Sequence, residues 1–270
     1  MKRTARTVRT VRTAHKAHTS RLSLYAVSLL LALTSASAAS DAGMGPFGVA
    51  AHAVVTARSA RVGALFAADR SARLRGGHFC TASVVHSPHR NLIVTAAHCL
   101  HGRTEELLFV PGYRDGKAPY GVWKVGRWFL SEGWERERDE DSDVAFGVVR
   151  DRGGERVEDV VGGNRLATGT TTGVTAVTVS GYLNSQEAPI SCTNKPTLQR
   201  RAQQRIACPG FSAGSSGSPW INGDEAVVGV LGGHDGGGST ADVSFSVLFG
   251  VEAARLYREA ERGERDSPVN

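Results

Sequence analysis

Thr95-Ala96-Ala97-His98-Cys99, Asp143-Val144-Ala145-Phe146 and Gly214-Ser215-Ser216-Gly217-Ser218-Pro219 stand in that order along the 270 residues, and they set out a base, a carboxylate and a hydroxyl nucleophile. A serine hydroxyl attacks a carbonyl poorly near neutral pH unless an imidazole removes its proton, and a shielded carboxylate must hold that imidazole's tautomer. The flanking residues suit these roles. Leu92-Ile93-Val94-Thr95 is an apolar, β-branched run that predicts a buried strand, and the small Ala96 and Ala97 let the chain bend to present His98. Asp143 opens the run Val144 to Val149, which places its carboxylate where a polar loop enters a strand, and shielding there strengthens its hold on His98. In Gly214-Ser215-Ser216-Gly217 the glycines permit a tight turn whose Gly214 and Ser216 N–H groups can point at one spot, where an oxyanion would form. Ala226 to Leu231 reads as a buried strand behind that turn.

Competing readings fail on context. A single histidine after a strand is ordinarily a satisfied core residue, and only the Thr-Ala-Ala before it and Cys99 after it reverse that preference for His98. Residues 135 to 142 form a charge run, which reads as a solvated loop. Asp139, Asp141 and Asp143 imitate the start of a calcium loop, but an EF-hand wants Gly and Glu where this chain has Val144 and Arg150. Gly210-Phe211-Ser212-Ala213-Gly214 spells the Gly-x-Ser-x-Gly elbow of lipases and esterases, with Ser212 as its nucleophile. That elbow needs a strand before and a helix after, whereas Cys208-Pro209 precede it and Gly and Ser follow. Its partners would be Asp224 and His234, bunched too closely for that layout.

With these residues in place, the chain resembles the trypsin-like, chymotrypsin-fold serine peptidases, and within them the secreted bacterial branch with Gly-x-Ser-Gly-Ser-Pro at the nucleophile. The likeness runs from roughly Arg61 to Tyr257. The order His, Asp, Ser separates this class from the subtilisins and the α/β-hydrolases. The resemblance implies catalysis by His98, Asp143 and Ser216, an oxyanion hole at Gly214 and Ser216, protein or peptide substrates, and no cofactor or metal. A protease-fold protein that has lost activity and only binds is the rival from another class.

The intervening stretches, such as Gly121 to Val125 and Val174 to Val179, are β-branched or aromatic and cut by Gly, Pro and Asn turns, an all-β pattern. The resemblance turns it into two packed antiparallel β-barrels, residues 61–152 carrying His98 and Asp143 and residues 165–250 carrying Ser216, joined by 153–164. Val251 to Arg262 has the apolar spacing of a short amphipathic helix, and 263–270 is a polar tail. Two departures from animal trypsins matter. Ser215 replaces the aspartate that pairs with a freed N-terminus, so activation by that ion pair is not expected. Gly210 occupies the position of the aspartate that selects Lys and Arg. Gly232 and His234 follow the strand that would line the specificity pocket; a pocket histidine like that of some bacterial relatives would suit a substrate glutamate, while position alone favours a solvent-exposed turn for His234.

Charge is misleading until the chain is divided. Seven of the 32 Lys and Arg residues lie in the first 38 positions, which hold no acid, leaving 25 basic residues against 26 acidic, a net of −1. The remainder makes no electrostatic case for nucleic acid. The first 38 residues have a basic region to Arg21, an apolar stretch from Leu22 to Thr34 and the small-residue site Ala36-Ser37-Ala38, the three parts of a secretory signal. The expectation is an exported, extracellular protein with no membrane anchor after cleavage. Residues 39–60 read as a leader, a short pro-segment or part of the fold. Oligomeric state leaves no trace. Four cysteines in an exported chain read as two disulfides with three possible pairings. Cys80 and Cys99 flank the strands leading to the base, and the resemblance implies that bridge, leaving Cys192 with Cys208. No Cys-x-x-Cys or His-Glu-x-x-His spacing suggests zinc.

Overall fold

Short β-branched runs between turn residues build fifteen strands in the computed structural model, which describes residues 47–262 apart from 101, 104 and 105. The predicted signal segment and polar tail lie outside the described residues. The first strand, β1 (Ala50–His52), joins the second half of the molecule. The next six are β2 (Val62–Ala67), β3 (His78–Val85), β4 (Leu92–Thr95), β5 (Leu107–Pro111), β6 (Trp123–Leu130) and β7 (Ala145–Val149). They close into a barrel in the order β2-β3-β4-β7-β6-β5, every pairing antiparallel. Its interior is filled by Leu65, Ile93, Phe109 and Trp123, and a fully buried large ring contributes about 3 kcal/mol by leaving water.

The second half contains β8 (Arg165–Leu166), β9 (Val177–Gly181), β10 (Ile190–Asn194), β11 (Thr197–Arg200), β12 (Gln203–Ala207), β13 (Pro219–Asn222), β14 (Ala226–Val230) and β15 (Val243–Val247). One sheet runs β1-β10-β9-β13-β14-β8 and a second runs β11-β12-β15. They meet where Leu231 bridges Ser246 and the Gly232 N–H donates to Phe245 O at 3.0 Å, giving the second barrel-like half. Trp220, Phe211 and the Cys192–Cys208 bridge fill it. Both disulfides pair as the resemblance implies, Cys80 with Cys99 and Cys192 with Cys208. Each closes a short loop and is worth about 3 kcal/mol by loop-closure entropy.

Helices are few, and none among the described residues is long and apolar enough to cross a membrane. They are α1 (Ala57–Ala60), α2 (Glu132–Glu137), α3 (Val157–Val161) and α4 (Val251–Arg262). The last has the bounds its apolar spacing predicts. Ala253, Leu256 and Ala260 of α4 pack with Val94 and Phe146 from the first half and Val227 and Val247 from the second, so one amphipathic face fastens the two together. Tyr182 and Tyr113 form a smaller shared cluster, and burial pushes the Tyr182 hydroxyl's pKa well above the usual phenol range.

Two expectations shift at their edges. The strand predicted over Val174 to Val179 begins only at Val177, because Gly173 turns the chain with φ +80° and leaves Val174 exposed. Residues 47–60 contribute an edge strand and a capped helical turn. Ala50 pairs with Cys192 and His52 with Ile190, while the Thr56 side chain accepts from the Ser59 N–H at the start of α1.

Candidate active site

His98 lies in a 3-10 turn, Ala97–Cys99, directly after β4, and Asp143 lies two residues before β7. Since β4 and β7 are neighbours in the barrel, with Thr95 opposite Ala145, the fold brings the two segments together. The Asp143 side chain is 1% exposed and that of His98 25%. Asp143 Oδ2 accepts from His98 Nδ1 at 2.7 Å, and its Oδ1 accepts from the His98 backbone N–H at 2.9 Å. A third donor, the Gly233 N–H, reaches Oδ2 at 2.7 Å from the second half. Three donors on one buried carboxylate fix its position and the imidazole's rotation.

Gly232 is shaped by this contact. A Cβ there would stand 2.6 Å from Asp143 Oδ2 and 3.1 Å from the Ala96 Cβ. The Gly232→Ala variant is therefore expected to lower kcat/KM by about 10²-fold, by displacing the carboxylate that orients His98. Steady-state kinetics beside a thermal melt checks this, and an unchanged kcat/KM in a folded variant would contradict it.

Ser216 sits at a half-buried point in the turn between β12 and β13. Gly214, with φ +97°, and Gly217, with φ +80°, supply the left-handed conformations that the turn needs. A Cβ on Gly217 would meet Thr81 O at 2.2 Å and the Ala96 N at 3.1 Å, so the turn lies directly against the segment leading to His98. Four successive carbonyls of the turn are held, three of them from outside it. Ala213 O accepts from the Asn184 N–H at 2.8 Å, Gly214 O from Thr81 Oγ1 at 3.2 Å, Ser215 O from Ser218 Oγ at 2.6 Å, and Ser216 O from the Thr81 N–H at 2.8 Å.

A trans peptide points its N–H opposite to its C=O, so fixing the carbonyls also fixes the N–H groups. The Ser215 N–H is taken by Ser212 O and the Gly217 N–H by Leu231 O. Among the described residues, the N–H groups of Gly214 and Ser216 donate to no other group of the protein. The alternation leaves the two predicted donors available together. Ser212, by contrast, is exposed, with turns on both sides in place of the strand and helix an esterase elbow requires.

A protein-family comparison matches the trypsin model over residues 56–249. The chain belongs to the trypsin family. This trypsin-family chain is similar to the protease Anisep from Arthrobacter nicotinovorans, with 26% identity over 75% of this chain and 95% of that one and a TM-score of 0.66. It is also similar to the thermostable serine protease AL20 from an extremophilic microorganism, with 29% identity over 76% and 99% of the chains and a TM-score of 0.65. Human heparin binding protein shares the fold, with 14% identity over 83% and 98% and a TM-score of 0.61. None of the curated proteins matches the chain. The family is one of serine endopeptidases acting on protein or peptide substrates.

The residues expected to line the specificity pocket are less plainly grouped. Gly210 has φ +90° and faces Ile190 and Ala50, and it brings no charge to the site. His234 is pinned by acids, its Nδ1 3.3 Å from Glu140 Oε2 and its Nε2 3.5 Å from Asp235 Oδ2, with its ring edge-on to Phe245. A substrate glutamate arriving there would meet two carboxylates. The charge run 135–142 is thus not wholly solvated. Glu140 also accepts from the Asp235 N–H at 3.1 Å, and Asp141 accepts from the buried Gln203 Nε2 at 2.6 Å. The cause is that this loop packs on the loop after β14, which sequence alone does not bring near.

Sequence reasoning missed Thr81, Asn184, Gln203 and the Gly233 N–H. Thr81 is one of two hydroxyl residues in β3, with nothing local to set it apart from Ser83, and a backbone donor such as that of Gly233 leaves no trace. Among the described residues, two groups bring potential metal-ligating atoms within 4.8 Å of one another, Cys80, His98 and Cys99, and Glu140, His234 and Asp235. The sulfurs of the first are spent in a disulfide and the second group is hydrogen-bonded within itself.

Proposed function

We propose that this protein is an exported serine endopeptidase of the Gly-x-Ser-Gly-Ser-Pro branch, cleaving peptide bonds through an acyl-enzyme on Ser216. The observation that carries the reading is the bond from His98 Nδ1 to the buried Asp143, which leaves Nε2 as the imidazole atom able to take a proton. Ser216 Oγ attacks the scissile carbonyl carbon while its proton passes to His98. The carbonyl oxygen becomes an oxyanion that accepts from the Gly214 and Ser216 N–H groups. Collapse of this intermediate breaks the C–N bond, and the leaving amine takes the proton from His98. A water then repeats the sequence on the acyl-enzyme, releasing the acid and restoring Ser216. Asp143 holds the tautomer throughout and steadies the imidazolium.

Export is supported by the basic, apolar and small-residue order of the first 38 positions together with two disulfides. The balanced charge beyond that segment supports substrates other than nucleic acid. A fluorophosphonate probe tests the chemistry, because it labels only an activated serine. The expected result is a single adduct mapped by peptide mass spectrometry to Ser216. A folded protein that stays unlabelled would favour a binding protein, and an adduct on Ser212 would favour the esterase.

A further inference from the structure

We propose that Thr81 is a positioning residue that presets the oxyanion hole, holding the nucleophile turn in its working shape with a neutral hydroxyl. The proposal rests on the reading of Ser216 as nucleophile and deepens it. Thr81 follows Cys80 on β3 and is fully buried. It meets the turn at two points, its Oγ1 donating to Gly214 O at 3.2 Å and its N–H donating to Ser216 O at 2.8 Å. Its hydroxyl also accepts from the Tyr182 N–H at 2.9 Å, and its carbonyl accepts from Thr95 Oγ1 at 2.7 Å. One residue therefore touches the turn on both sides of Ser215, the chain entering the His98 segment, and the strand end beside Asn184.

The geometry makes the hydroxyl directional. With Tyr182 donating into Oγ1, the Thr81 hydroxyl hydrogen is left to point at Gly214 O. That bond fixes the Gly214–Ser215 peptide, the unit between the two proposed donors. Rotation of this peptide would turn either the Gly214 or the Ser216 N–H away from their common spot. Ser215 cannot anchor the turn by charge, and its own hydroxyl is bound to Ser212 O at 2.6 Å. The turn itself holds this peptide only by its other side, the Ser215 N–H on Ser212 O at 3.0 Å, and the clamp on Gly214 O comes from β3 through Thr81.

The test compares Thr81→Val, which keeps the shape and loses the hydroxyl, with Thr81→Ser, which keeps the hydroxyl. Both are assayed on one fluorogenic peptide and for affinity to a peptide boronic acid of the same sequence, whose tetrahedral adduct places an oxygen at the oxyanion spot. Loss of an oxyanion donor outright costs about 10²- to 10³-fold, and Thr81 acts one step removed. Thr81→Val is expected to lower kcat by about 10- to 100-fold with KM within about twofold, and boronate affinity should fall in parallel. Thr81→Ser should stay within about threefold of the parent on all three. Thr81→Ala makes the same comparison where valine does not fold. A folded Val or Ala variant with parental kcat overturns the proposal, as does a kcat loss with unchanged boronate affinity, or a serine variant as impaired as the valine one. Failure of the underlying reading shows separately, as a parent protein unlabelled at Ser216 by fluorophosphonate.

Discussion

Ser216→Ala is expected to abolish peptide hydrolysis, with kcat falling by about 10⁶-fold, while Ser212→Ala keeps most of it. The two serines lie four residues apart in glycine-flanked turns, and their surroundings separate them. Ser216 carries one of the two N–H groups that donate to no other described group, in a turn whose carbonyls are held mostly from outside, and its segment is pressed against the residues leading to His98. Ser212 is exposed and offers its carbonyl to Ser215. Because nucleophile and base act as a unit, the double change Ser216→Ala with His98→Ala should be little worse than either alone. Kinetics on purified variants with matched thermal melts decides the matter. Fully additive losses, or activity that follows Ser212, would contradict the assignment.

Asp143→Asn is the second large effect, a fall in kcat of about 10⁴-fold in a protein that still folds, the magnitude being that of the serine-protease template. The carboxylate receives three donors, the His98 N–H, His98 Nδ1 and the Gly233 N–H. Asparagine is nearly the same size but has one acceptor oxygen and an NH₂ group that must face one of those donors. If that group faces Nδ1, the imidazole flips to the tautomer with its proton on Nε2, which cannot receive the proton of Ser216. If it takes the Oδ1 place instead, the His98 backbone N–H loses its acceptor in a buried site, which is costly to stability. A variant retaining more than a tenth of the parental kcat would show that orientation of the histidine does not depend on this carboxylate.

Residues whose role is written into their neighbours were legible in the sequence. His98 carries Thr-Ala-Ala ahead of it, Ser216 has Gly-Ser-Pro behind it, and α4 announces itself by apolar spacing, because each of these depends on residues within a few positions. The all-β class followed from β-branched runs between turn residues, and the barrels only from the resemblance to the trypsin-like peptidases. The grip of Thr81 on Gly214 spans more than a hundred positions, as does the pairing of β1 with β10, and no local period encodes either. Glu140 and Asp141 looked like solvated charge because their partners, Asp235 and Gln203, lie on a distant loop and strand. The Gly233 N–H belongs to a residue with no side chain at all.

The edge strand β1 carries a consequence for how far the N-terminal side can be trimmed. Its three residues cover one side of β10, opposite the strand's pairing with β9, and Cys192 stands in that register. Cuts ahead of Gly48 leave this arrangement whole. Just beyond β1 the chain runs through Val54 and Val55, both largely exposed, before α1 begins. An enzyme that cleaves extended chains presents such a segment to its own copies. A nick there would detach the edge strand and bare the backbone of β10, so self-digestion at this exposed stretch would uncover a sheet edge.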